Sequence, residues 1–158
     1  MKRHTTRLYN LIFPIWIFWM VPSLLWLLLP ANFLWDSLVL LAAAGWLRLQ
    51  GKKELWKHSI VKVWLIGFAA DFAGAALSLV VMLLLNTLLD SHIFDPYHFP
   101  GATLHAIPGV CLAGWLIWRL NRRYSFGKAD ISEAMAGRLS LLLAVFTAPY
   151  LMLLPMYH

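Results

Sequence analysis

At 158 residues the chain has the size of one domain, yet 61% of it is apolar and only 13% charged, where soluble proteins carry about a quarter. That excludes an ordinary soluble globule. A single cysteine, Cys111, excludes an intrachain disulfide and any cysteine-based zinc site within one chain, and the net charge of +6 has to be located before nucleic acid is invoked.

Taken in order, the chain opens with a short basic stretch holding Lys2, Arg3 and Arg7. An apolar run follows to Leu29, interrupted by Pro14, Pro22 and Ser23. A secretory leader has an apolar part of about 7–15 residues and a small-residue cleavage site. This run is longer and shows no such site, so it reads as an uncleaved first span over 9–29, with Pro22 kinking its middle. Pro30-Ala31-Asn32 reads as a turn. The next segment, 33–49, is short for a span, with Asp36 near its start and Arg48 near its end. Either it crosses with snorkelling ends or it lies re-entrant at the interface.

Residues 48–62 form a basic connection containing Lys52, Lys53, Lys57 and Lys62, broken by Gly51. Leu55, Trp56 and Ile60 give it an apolar stripe suited to the headgroup layer. The third span, 62–89, is the longest apolar run and contains one acid, Asp71. Gly67, Gly74, Ala75 and Ser78 fall three, four or seven residues from Asp71, on its helical face. Small residues so spaced admit another helix closely, which places Asp71 in a seam. An acid there costs about 2.5–3.5 kcal/mol on insertion scales. It is either a structural polar contact, with Arg48 or Arg138 as candidate partner, or part of an ion or proton pathway lined by Ser78, Asn86 and Thr147.

A polar loop with Asp90, His92, Asp95 and His98 leads to the fourth span, 102–120, where Ala106, Gly109 and Ala113 share one side. Asn121 to Lys128 reads as a short basic loop. Asp130 as N-cap and Glu133 three residues later resemble a capping box opening the fifth span, 133–155. Its stripe of Gly137, Ser140, Ala144 and Thr147 is the natural partner for the Asp71 face.

The expected fold is therefore a single all-α, polytopic integral membrane bundle over 1–158 with about five transmembrane helices. With the amino terminus inside and the carboxyl terminus outside, three internal segments hold all 13 Lys and Arg. The external ones hold none, but carry Asp36, Asp90 and Asp95. Such segregation is the positive-inside pattern. The basic balance thus reports topology, and no nucleic-acid partner is needed. The lack of long loops fits a multi-pass protein of a prokaryotic plasma membrane.

Candidate chemistry is sparse. His92, Asp95, His98 and His105 form an outer set of metal-ligand types, but their spacing matches no recurrent metal site, so no metal is assigned. Haem would need a second histidine inside a span to pair with His105, and no cofactor is assigned. Asp71 is the one acid read as lying well inside a span, so no acid dyad is expected. Lys57, His58 and Arg138 at the inner face offer a weak phosphate-handling set, and enzymatic activity is disfavoured. The leading expectation is a structural or accessory subunit of a larger membrane complex, joined to other subunits or to itself through small-residue faces. A small oligomeric ion, proton or solute transporter with Asp71 in its pathway is the alternative, and a membrane enzyme acting on lipid phosphates a third. The orientation is open to direct test. In a Cys111→Ser background, an impermeant thiol reagent applied to intact cells should label Ser91→Cys and spare Lys53→Cys; the reverse labelling would invert the topology.

Overall fold

The computed structural model describes residues 22–89, 100–127 and 129–154. They form four α-helices: α1 (Pro22–Trp46), α2 (Lys52–Leu89), α3 (Gly101–Leu120) and α4 (Glu133–Thr147). A π turn (Asn121–Ser125) extends α3, and a 3-10 turn (Tyr150–Leu153) follows α4. Three stretches are long and apolar enough to cross a membrane: Trp26–Trp46, Lys52–Leu88 and Thr103–Ser125. The larger part of the expected first span lies outside the described residues.

Helices adjacent in sequence pack on one another, and α4 closes back onto α1. The order around the bundle is therefore α1, α2, α3, α4, with α2 and α3 the most extensive pair. This differs from the expectation that the small stripe of α4 would meet the Asp71 face of α2. Helices joined by short connections pack as antiparallel neighbours, so α2 is covered by α1 and α3 and α4 takes the opposite corner. Its buried stripe, Ala136, Leu139, Ser140, Leu143 and Ala144, serves those other neighbours.

The turn expected at Pro30-Ala31-Asn32 does not form. One helix runs through it with Pro30 inside, joining residues 22–29 to 33–46, and Pro22 is its first described residue. Proline removes one backbone donor, and within a membrane bundle neighbouring groups can cover the carbonyl it frees. α1 ends where Arg48 adopts a left-handed φ of 54°. Arg48 N–H then reaches Gly45 O and Leu49 N–H reaches Ala44 O, both at 3.0 Å, the two bonds of a Schellman cap. Gly51, with φ 65°, turns the chain into α2, and its carbonyl accepts from Glu54 and Leu55 N–H.

The basic stretch expected to be a connection is instead the start of α2. At 1.5 Å per residue the 38 residues of α2 extend about 57 Å, against a bilayer core of about 30 Å. Leu55, Ser59 and Ile60 are buried within the protein, so this stripe packs inward rather than on headgroups. Its contact is the π turn. Ser59 Oγ donates to Ser125 O at 3.1 Å, Ser125 Oγ donates to Asn121 Oδ1 at 2.6 Å, and Asn121 Nδ2 donates to Ile117 O at 2.9 Å. Asn121 is completely buried, so this polar staple gives its amide partners that water would otherwise supply. The expected basic loop at Asn121 is thus a continuation of α3.

Ser132, two residues after the expected Asp130, caps α4 by accepting from Met135 N–H at 3.3 Å. Glu133 pairs instead with Arg122 at 2.5 Å. Both side chains are substantially exposed, so the pair contributes little to stability. The fifth expected span is interrupted: Pro149 forces Ala148 into an extended conformation and ends α4 at Thr147. Tyr150 N–H then bonds Ala148 O, leaving Phe146 O without its helical donor, and Trp35 Nε1 of α1 supplies one at 3.1 Å. Thr103 Oγ1 at the start of α3 donates to Leu153 O at 2.8 Å. With Arg122–Glu133 at the other end, α4 and its 3-10 turn run antiparallel along the whole of α3.

The tightest contact lies between α2 and α3. A Cβ on Gly74 would stand 2.6 Å from Gly109 O, and one on Gly109 would collide with Ser78 Oγ and Gly74 O. Gly109→Leu should force the helices apart and cost about 2 kcal/mol, read as a lowered unfolding midpoint in detergent, whereas Gly114→Ala, where a Cβ has 3.9 Å to its nearest neighbour, should leave that midpoint nearly unchanged.

Candidate functional site

Among the described residues, the apolar seam between α1 and α2 holds two acids, Asp36 and Asp71. Asp36 lies fourteen residues from the start of α1 and ten from its end, so the continuity of α1 through Pro30 moves it from a helix start to mid-helix. Only 7% of it is exposed. Its Oδ2 sits 3.6 Å from where a Cβ on Gly67 would be. Gly67 is one helical turn before Asp71 on the same face, so the Asp36 carboxyl lies against the face of α2 that carries Asp71. The small residue at 67 thus opens the α1–α2 seam enough for the acid of α1 to face the acid of α2. Asp71 Oδ1 is enclosed and has no hydrogen-bond partner among the described residues.

The depth of the pair follows from helix rise. Asp71 lies nine residues beyond Lys62, and Asp36 ten before Trp46, about 14 and 15 Å along their helices. In a core about 30 Å thick bordered at the basic end, those distances correspond to mid-depth. Aromatic rings flank them in the same seam. Phe33 meets Trp64 edge-on at 6.1 Å between centroids, and Trp64 meets Phe68 edge-on at 5.5 Å. Trp64 Nε1 is enclosed without a hydrogen-bond partner among the described residues.

The remaining candidate residues do not converge on this point. Ser78 Oγ reaches Ala106 O on α3 at 3.5 Å, the weak limit of a hydrogen bond. Asn86 lies near the far end of α2, with its Oδ1 enclosed and without a partner among the described residues. Thr147 Oγ1 donates back to Leu143 O of its own helix at 2.8 Å. Arg48 and Arg138 are exposed, and neither forms an ion pair with Asp71 among the described residues. The group facing Asp71 is another acid. A turn at Pro30 puts Asp36 at a helix start, whereas the apolar runs on both sides of that proline are the sequence signal for one continuous helix with Asp36 inside it.

At the outer end His105 donates from Nδ1 to Gly101 O at 2.8 Å, the carbonyl fixing which nitrogen carries the proton. His92, Asp95 and His98 lie outside the described residues, and no metal-ligand group forms among the described ones. Lys57 and His58 are exposed on α2 and Arg138 is exposed on α4. Cys111 is exposed on α3.

Chemically, two facing carboxyl groups in a low-dielectric seam repel when both are charged. They are held together by a shared proton or by a small cation between them. A pair of acids can also activate a water for hydrolysis, so the absence of a second intramembrane acid no longer argues against that chemistry. Hydrolysis needs room for a scissile bond between the carboxyls, and here Gly67 and the Phe33–Trp64 contact bring the helices together. Compared with known families, curated proteins and solved structures, the chain matches none.

The facing of the acids predicts an asymmetry between variants. Asp36→Lys alone should be tolerated, because the new ammonium meets Asp71. Asp36→Lys with Asp71→Asn should lose about 3 kcal/mol of stability, because the buried charge then has no counterpart. Unfolding midpoints in detergent compare the two, and equal midpoints would separate the acids.

Proposed function

We propose that this chain is a small membrane transporter in which a proton or a small monovalent cation binds and is released at the Asp36–Asp71 pair. The observation that carries the reading is the approach of the Asp36 carboxyl, across the α1–α2 seam, to the face of α2 that holds Asp71, with no Lys or Arg ion-paired to either acid among the described residues. Intramembrane acids that lack a structural counter-charge mark ion and proton pathways, and a pair of them needs a mobile counter-charge. The helix-terminal position assigned to Asp36 from sequence had hidden this arrangement.

The proposal places the chain in a prokaryotic plasma membrane with the basic end inside. The nine basic residues among the described ones, Arg48, Lys52, Lys53, Lys57, Lys62, Arg119, Arg122, Arg123 and Arg138, lie at the α1–α2 corner, in the first eleven residues of α2, at the end of α3 with its π turn, and in the first six residues of α4. The antiparallel run of α4 and its 3-10 turn along α3 supports a crossing by that unit too.

A second reading, an accessory subunit of a larger membrane complex, is favoured by the outer half of α2. Leu79, Val80, Leu83, Leu84 and Leu88 are exposed there, and Asn86 Oδ1 is enclosed without a partner among the described residues. A neighbouring subunit packed over these exposed side chains would complete such a helix.

Reconstitution into liposomes separates the readings. With an imposed potassium diffusion potential, wild type should acidify the lumen or take up sodium, and Asp36→Asn and Asp71→Asn should each reduce that flux at least about tenfold while eluting as a folded species. An inactive wild type that purifies with other chains, and loses them on Asn86→Leu, would instead establish the accessory reading.

A further inference from the structure

A second feature is independent of the acid pair: the collar of cations at the basic end. The fold gathers it from separated parts of the chain. The corner between α1 and α2 supplies Arg48, Lys52, Lys53 and Lys57, the end of α3 supplies Arg119 and Arg123, and the second turn of α4 supplies Arg138. All of these are exposed. The ion pair among the described residues joins Arg122 to Glu133, so these seven cations have no carboxylate partner there. The acids described on this side are Glu54, Asp130 and the already paired Glu133.

Large aromatic side chains share the collar. Trp46 is 72% exposed at the last residue of α1, and Trp115 and Tyr124 are about half exposed near the end of α3. The Arg119 guanidinium lies 5.9 Å from the Trp115 ring centre, and that of Arg123 lies 5.7 Å from the Tyr124 ring centre. Cations stacked on exposed aromatics suit the headgroup layer, where the ring meets acyl chains and the charge meets phosphate. An acidic soluble protein would satisfy the charges but would leave the indole of Trp46 without an apolar neighbour.

The α1–α2 corner is the most concentrated part. Gly45, one residue before Trp46, leaves space that Lys52 occupies: its Nζ would stand 3.7 Å from a Cβ there. The left-handed turn at Arg48 brings a second cation to the same corner. Two cations and an exposed indole at one helix end match a phosphodiester with its glycerol and upper acyl chain.

We infer that this basic collar is a binding surface for anionic phospholipid headgroups, with Arg48, Lys52, Lys53, Lys57 and Trp46 as its main contacts. A site of this kind retains acidic lipids selectively over zwitterionic ones, because each cation near an anionic surface adds to the attraction.

Native mass spectrometry of the full chain in detergent, titrated with phosphatidylglycerol or phosphatidylcholine, tests the inference. Wild type should retain phosphatidylglycerol at concentrations where phosphatidylcholine is lost. The triple variant Lys52→Gln, Lys53→Gln, Lys57→Gln should lower that retention by at least about tenfold and leave phosphatidylcholine unchanged. A second triple variant, Leu79→Gln, Val80→Gln, Leu83→Gln, on the exposed outer half of α2, controls for general loss of lipid and should keep the preference. Equal retention of both lipids by wild type, or full retention by the lysine variant, would overturn the inference, as would displacement of the bound phosphatidylglycerol by free inorganic phosphate. In that last case the collar would be an anion site without lipid specificity.

Discussion

Two carboxyl groups facing each other between helices are costly in hydrocarbon, and the α1–α2 seam is built around that cost. Asp36 can approach the Asp71 face because position 67 lacks a side chain. Phe33, Trp64 and Phe68 surround the approach with apolar rings. No arginine or lysine among the described residues bridges Asp71. The long basic side chains instead stay at one end of the bundle, where water or headgroups solvate them. The proposed function supplies the positive charge that the described interior lacks, as a proton or a small cation.

The rest of the bundle satisfies backbone and side-chain polarity where helices break. Pro149 deprives Phe146 O of its usual donor, and the Trp35 indole replaces it, tying α4 to α1. The π turn at the end of α3 widens one helical turn, and the Ser59, Ser125 and Asn121 side chains cover its polar groups against α2. Gly74 and Gly109 let α2 and α3 approach until backbone meets backbone. Each device joins elements that lie next to one another around the bundle, which is why a chain of short connections closes into a ring of four helices.

Charge organises the two ends differently. The basic collar combines cations with Trp46, Trp115 and Tyr124, so it is matched to an interface rather than to bulk water. α2 is longer than the bilayer core, and its excess length carries Lys52, Lys53 and Lys57 on that side. In the proposed arrangement the same helix meets the headgroups with these lysines and carries Asp71 nine residues beyond Lys62.

The sequence by itself determined the all-helical character with stretches long and apolar enough to cross a membrane, the segregation of basic residues, and the small-residue face shared by Gly67, Gly74 and Ser78. These depend on composition and on the 3.6-residue period, both properties of one segment at a time. Part of the packing was legible for the same reason: Ala106, Gly109 and Ala113 were read as one side of a helix and are buried together. Only the tertiary structure decided that Pro30 lies inside a helix, because a proline ends a helix or is absorbed according to its surroundings. That decision moved Asp36 to mid-helix and opposite Asp71. The same limit applies to the shift of the cap from Asp130 to Ser132, the π turn at Asn121 and the placement of α4 away from α2. Each is a choice among locally similar conformations or faces, and contacts between distant parts of the chain make it.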